Sequence, residues 1–345
     1  MLPMVASPVS MSGMTSVAAP PDRAGFHDLR RRLATLQPGS ATVDGPSLEA
    51  FGAATDVPRV VHAQPIEGGT VRARRIAAPV EPGFAAFLDG TQASRVLDYV
   101  GGVAVIHGTV AAVVRERRNR RLVTWQHAVE QRVYAPRAAL PEAYWAALAA
   151  LGIPVVDTSD ETPAAGASAS HPFTLRDSAI HRVGRDRERL EQRLAERWCN
   201  LDLGMLFIDG GIAGSDRVAN APCTAGVVKS HRTLYVDGDD LGRVLALRAG
   251  ERSSVLRIAA PKRLPVASWY LRLRDPAGHD PMWGLVRVES ADLAVADQAA
   301  ITARADRVSG WILAEVAPLA LPDGRWDKMV YGVRDCEEFL RAVSG

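Results

Sequence analysis

The hydrophobic pattern is weak over residues 26–80 and strong after them. FHDLRRRLATL at 26–36 has the spacing of a short basic helix, and 38–69 reads as loop. At 84–91, FAAFLDGT is an apolar run that stops at Asp-Gly, the mark of a buried strand and its end. Residues 102–115 predict one long bent strand or two, because Gly108 interrupts the run; 121–134 predict another. A helix is expected at 140–151, a short strand at 154–157 and a long helix over 174–198. MLFIDGG then repeats the apolar-run-to-Asp-Gly pattern at Asp209. Strand signals follow at 225–236, 254–259, 269–274 and 283–289, and helical ones at 292–316 and 335–343. No repeat of solenoid period is present. Strands, a helix, then more strands predict an α/β sheet with helices on its faces.

The two Asp-Gly strand ends carry the candidate chemistry. Ligands of α/β sheets gather at strand carboxyl ends, and glycine permits close approach. Asp89 and Asp209 on neighbouring strands would form a hard oxygen site suited to Mg²⁺ or Mn²⁺. The plainer alternative is that each Asp-Gly begins a turn. On the 174–198 helix, Leu190, Leu194 and Trp198 mark an apolar face. At about 100° per residue, Glu191 lies about 60° from the centre of that face, Glu188 about 120°, and Glu196 points to water. Glu191 is therefore the third candidate carboxylate, the alternative being a surface ion pair with an arginine three or four residues away. Arg176 and Arg187 fall within the apolar face, which means either a later helix start or a polar site there. Lys229, in the strand after Asp209, could present its charge to a phosphate or be an ordinary edge-strand lysine.

Composition narrows the possibilities. The 345 residues are 47% hydrophobic and 23% charged, with 41 basic and 39 acidic side chains; a net charge of +2 makes no case for nucleic acid by itself. Five arginines, Arg115, Arg117, Arg118, Arg120 and Arg121, crowd into seven residues at an expected hairpin tip, where they could grip DNA phosphates or form a solvated turn. Cys199, Cys223 and Cys336 are widely spaced, so neither a zinc site nor a disulfide framework is expected, in keeping with a cytoplasmic setting. Residues 1–25 lack a charged leader and read as a disordered tail, with four methionines leaving the start open. Residues 157–170 read as a mobile loop, and 26–345 as a single domain. No apolar run is long enough for a membrane span. G-x-S-x-G and nucleotide-binding glycine loops are absent, and the histidines form no metal-binding pair.

An Asp-Gly strand end, a glutamate-bearing helix, a second Asp-Gly strand end and a G-V-x-K strand at 226–229 resemble, in that order, the NurA family of DNA-end-processing nucleases. The resemblance covers about residues 84–240. It implies an RNase H-like fold, Mn²⁺ or Mg²⁺ as cofactor, exonuclease action from the 5′ end and endonuclease action on single strands, and a homodimer docked on the hexameric DNA translocase HerA. It places Asp89, Glu191 and Asp209 as metal ligands and Lys229 beside them, with Glu188 in reserve. Two departures stand out. The family's Asp-Gly-Ser is Asp-Gly-Thr or Asp-Gly-Gly here, and its late Tyr-Pro and Ala-His segment is replaced by YGVRDCEE at 331–338, where Asp335 or Glu337 could stand in for the histidine. A non-catalytic adaptor of the same fold is the rival expectation.

Overall fold

The structure is a computed structural model describing residues 25–37, 58–162, 168–259, 263–316 and 330–344. The expected N-terminal tail and the middle of the 157–170 loop lie outside the described residues.

Helix α1 (Phe26–Leu36) is followed by three short strands, β1 (Arg59–Val60), β2 (Gln64–Pro65) and β3 (Ala73–Arg75). The core begins with a long meander: β4 (Ala86–Val100), β5 (Val103–Arg118) and β6 (Arg121–Ala135). Helix α2 (Glu142–Ala149) and strand β7 (Val155–Asp157) lead to the 29-residue α3 (Pro172–Asn200). Then come β8 (Leu206–Asp209), α4 (Asp216–Ala219), β9 (Thr224–Val228), β10 (Thr233–Leu234) and α5 (Gly238–Leu245). The remainder is β11 (Glu251–Ser253), β12 (Leu256–Ile258), β13 (Val266–Arg272), β14 (Leu285–Ala291), α6 (Gln298–Val316) and α7 (Tyr331–Ser344).

One mixed sheet of twelve strands holds these together, its centre running β14-β9-β8-β4-β5-β6. β4, β5 and β6 pair antiparallel. β8 lies parallel to β4, and β9 parallel to β8. An antiparallel meander extended by two parallel strands on the side of its first member is the RNase H-like arrangement, and it is the helix-flanked α/β sheet the pattern predicts. Residues 103–115 belong to a single strand, and Gly102 to the turn before it; Gly108 is needed because a Cβ there would overlap the Tyr134 ring and Val183. The strand expected at 225–236 breaks after Val228, and only Thr233 and Leu234 pair again, with β1.

Two cores cover the two faces of the sheet. On one, Leu88, Ile208, Val110 and Ala112 pack against Val183, Leu190, Leu194 and Trp198 of α3. On the other, Phe87, Phe207, Val227 and Val113 pack against Ile301, Ile312, Cys336 and Leu340 of α6 and α7. Alternation along each strand sorts the side chains between these faces. Among the described residues, no helix is long and apolar enough to cross a membrane.

Candidate active site

Strand register brings the two Asp-Gly pairs together, although only the second ends a strand: β8 stops at Asp209, whereas β4 runs on past Asp89 and Gly90 to Val100. β4 and β8 pair Phe87 with Phe207 and Leu88 with Ile208, so the next residues on the two strands, Asp89 and Asp209, come level. Asp209 in turn pairs with Val227 of β9. Phe87, Phe207 and Val227 all face α7, and two residues further along each strand stand Asp89, Asp209 and Lys229. On this face an acidic residue thus follows the apolar one on β4 and on β8 at the same height, and Lys229, just past the end of β9, stands two residues beyond the level of Asp209. Lys229 donates from Nζ to Asp209 Oδ2 at 2.8 Å, so it is not an ordinary edge lysine. The Gly90 amide donates to Asp89 Oδ1 at 2.8 Å.

Glu191 reaches this cluster from the opposite face. It is buried on α3 and ion-paired with Arg187, one turn earlier. The i,i+4 pair weighed as an alternative for Glu191 therefore exists, but inside the protein and not on its surface. β8 ends at Asp209 while β4 continues, which leaves the Gly90 level of β4 without a partner on that side. The Glu191 carboxylate occupies the place where a Cβ on Gly90 would stand. Gly90 is thus required for close approach, by the protein's own carboxylate. Gly90→Ala is expected to cost roughly 1–3 kcal/mol by overpacking. In a double-mutant cycle measured by urea unfolding, Glu191→Ala should recover most of that loss. Additive losses would mean that the two groups do not compete for the space.

The electrostatics match this crowding. Burial, then the Asp209 and Glu191 carboxylates, push Asp89 up to about 8, against the pull of Lys229. Burial also raises Glu191, to about 7, although Arg187 opposes it and Asp209 adds to it. Among the described residues, no three His, Cys, Asp or Glu side chains stand as a ready-made metal cluster; Lys229 holds Asp209 and Arg187 holds Glu191 instead. The donor set nevertheless suits a hard divalent cation. It is all oxygen, and burial first, with neighbouring carboxylates adding to it, holds Asp89 and Glu191 above the usual carboxylate range.

Two cavities open onto the carboxylates and share Arg187 and Asp209. One, of about 390 Å³, includes Asp89, Thr91, Glu337 and Arg341. The other, of about 240 Å³, lies between α3 and the loop after β8. Of the two residues weighed for the missing histidine, Glu337 lines the first cavity, and Asp335 is bound to Arg115. Glu188 is largely exposed and lies at the rim of the second. Arg187, which breaks the apolar stripe of α3, belongs to the site and also donates to Gln92 Oε1 at 3.2 Å. Arg176, the other arginine in that stripe, bonds to its neighbour Asp177. Glu196 does not face water freely, because Ser215 Oγ donates to it at 2.5 Å.

The arginine cluster must be corrected. Arg115 binds Asp335 and Thr124 and lies over the Phe339 ring. Arg117 makes a two-pronged pair with Glu315 at 2.6–2.8 Å and lies over Phe87. Both are ties between the meander and the C-terminal helices. They alternate with their neighbours along β5, and the inward face of that strand is covered by α6 and α7. Arg118, Arg120 and Arg121 are exposed at the hairpin tip, with Arg118 paired to Glu116. Asp89 pairs across to Val113, which places the tip about 20 Å along the strand from the carboxylates.

The fold and site together define an RNase H-like α/β protein with carboxylates of adjacent central strands side by side, Asp89 within β4 and Asp209 at the end of β8. No protein-family model matches the chain, and no curated protein matches it. Among solved structures, it is similar to the NurA nuclease from Sulfolobus solfataricus, with 12% identity over 78% of this chain and 88% of that one and a TM-score of 0.40. It is also similar to the catalytic domain of human endonuclease V, with 14% identity over 93% and 98% of the two chains and a TM-score of 0.28. Neither likeness is close enough to bear on the chemistry.

Proposed function

We propose that the protein is a divalent-metal-dependent deoxyribonuclease, a phosphodiester hydrolase of the NurA kind. The observation that carries this reading is the level placement of Asp89 and Asp209 on adjacent strands, with Glu191 against them from the other face. Asp89, Asp209 and Glu191 would hold Mn²⁺ or Mg²⁺. When bound, such ions supply an activated water and positive charge at the phosphoryl oxygens. Asp89 must lose its proton to serve as a ligand. Lys229 and Arg187, which pair with Asp209 and Glu191 in the metal-free chain, would then donate to phosphate oxygens. Glu337, which lines the larger cavity, would stand in for the family's late histidine. Arg118, Arg120 and Arg121 would meet a DNA backbone that extends beyond the site.

The finer reading is 5′-to-3′ exonuclease and single-strand endonuclease action in DNA end processing, repair or defence, by a homodimer that works with a HerA-type translocase. The second reading, a non-catalytic adaptor, is favoured by one observation: two ion pairs already satisfy Asp209 and Glu191 without metal. Cleavage of single-stranded DNA in Mn²⁺ separates the two. Cleavage by the native chain and its loss, by at least about a thousandfold, in Asp209→Asn supports the nuclease. Absence of cleavage together with calorimetric Mn²⁺ binding that Asp209→Asn leaves unchanged rejects it.

A further inference from the structure

The cavity of about 240 Å³ between α3 and the loop after β8 has a composition that the carboxylates do not explain. Its floor is apolar, made by Leu88 and Ile208 of the sheet, Ala195 of α3 and Val218 of α4, all buried. Its rim is polar. Gln192 lies on it, half-buried, and its side-chain amide is not engaged by any described residue. That amide occupies the space where a Cβ on Gly214 would stand, so the glycine-rich loop 210–214 yields its room to Gln192. Asp209 and Arg187 are common to this cavity and to the larger one beyond the carboxylates.

From this we infer that the smaller cavity is a base pocket, which takes one unstacked nucleobase of the DNA strand next to the phosphate being cut. The inference rests on the nuclease reading and adds to it a subsite and a requirement for an unpaired nucleotide. An apolar floor offers a surface for the flat face of a base, and an amide with both donor and acceptor matches a base edge. The cavity is smaller than a drug-sized pocket and meets the carboxylates at Asp209 and Glu191, both of which line it. A strand with its phosphate at Asp89 and Asp209 would therefore have a neighbouring base at the cavity mouth. A duplex cannot deliver a base there without opening, so the pocket selects single strands and frayed ends. Ala213, half-buried in the loop and lining the cavity, is the position from which a larger side chain would fill it.

The test uses the full chain in Mn²⁺ and a set of single-stranded oligothymidylates, each with one abasic residue at a different position. Product lengths report where the cut falls. The native protein should show one position beside the cut where loss of the base lowers kcat/KM about tenfold or more, the effect of removing a stacking contact. Ala213→Phe and Gln192→Ala should each flatten that dip. Gln192→Ala keeps a strong helix former in α3, so it carries the test should the bulkier variant not fold. A flat profile in the native protein, or a dip of unchanged depth in folded Gln192→Ala, overturns the pocket while leaving the nuclease standing. Absence of any cleavage by the native protein overturns both.

Discussion

Replacing Asp89 by asparagine is expected to abolish DNA cleavage and, in the metal-free protein at alkaline pH, to increase stability. Both effects have one cause. Asp89 is buried and held at about 8 by burial and by two neighbouring carboxylates, far above its ordinary 3.8. Between those two values the folded chain keeps a proton that the unfolded chain releases. The stability this group contributes is complete below the unfolded value and is lost as pH rises through the folded one. The metal-free native protein should therefore weaken between about pH 5 and about pH 8.5. Asp89→Asn, of nearly the same shape and never charged, should lose less over that interval and exceed the native protein at the upper end by about 2 kcal/mol or more. Urea unfolding in chelator at the two pH values measures this. Added Mn²⁺ should reverse the order, because only the native site gains binding free energy in the folded state. An Asp89→Asn protein less stable than the native one at about pH 8.5 in chelator would show that the carboxylate is comfortable where it lies, and the case for a cation-seeking site would fail with it.

The second large effect lies away from the site. Arg252 of β11 is 1% exposed and makes a two-pronged pair with Glu67 at 2.7 and 3.0 Å and a third bond to Asp306 of α6 at 2.6 Å. Glu67 also accepts from the Val255 amide and from Thr302. Burial by itself would raise the Glu67 carboxyl, but Arg252 and these donors more than offset it and hold it below its usual value. One guanidinium thus joins the segment before β3, the sheet and α6. Arg252→Met would leave the buried Asp306 without a counter-charge and Glu67 with Arg74 alone, at 3.3 Å, at a cost of about 3 kcal/mol. The combined change Arg252→Met, Glu67→Gln and Asp306→Asn should recover much of that loss, because the penalty comes from uncompensated charge. Chemical denaturation at neutral pH checks both. Equal losses in the single and combined variants would mean that shape, and not charge, makes the cluster important.

Much of the site was legible because its signals are local. An apolar run must be buried, and the Asp that follows it can emerge where the strand ends; this holds for Asp209, whereas β4 runs on from Asp89 to Val100 and Asp89 is buried within it. Glu191 could be placed at the edge of a helical stripe by the 3.6-residue period, and the same geometry marked Arg187 as out of place. Other features depend on what lies opposite. Arg115 and Arg117 read as surface charges in a basic run, and only the packing of α6 and α7 on β5 supplies Glu315 and Asp335 to draw them inward. Glu337 and Asp335 are two residues apart and equivalent on paper; the rotation of α7 over β4 aims one at the cavity and the other at Arg115.

By itself, then, the sequence determined the end of β8, the long helix and the candidate carboxylates, since period and burial act along a short stretch of chain; it did not show that β4 runs on past Asp89. Tertiary structure decided that β8 pairs with β4 in the register that sets Asp89 beside Asp209, and that it ends early enough for Glu191 to lie against Gly90. It also decided which charges are neutralised and where the cavities open. Those choices depend on distance between groups far apart in the chain. Coulombic energy and desolvation act through space, and no spacing along a sequence encodes them.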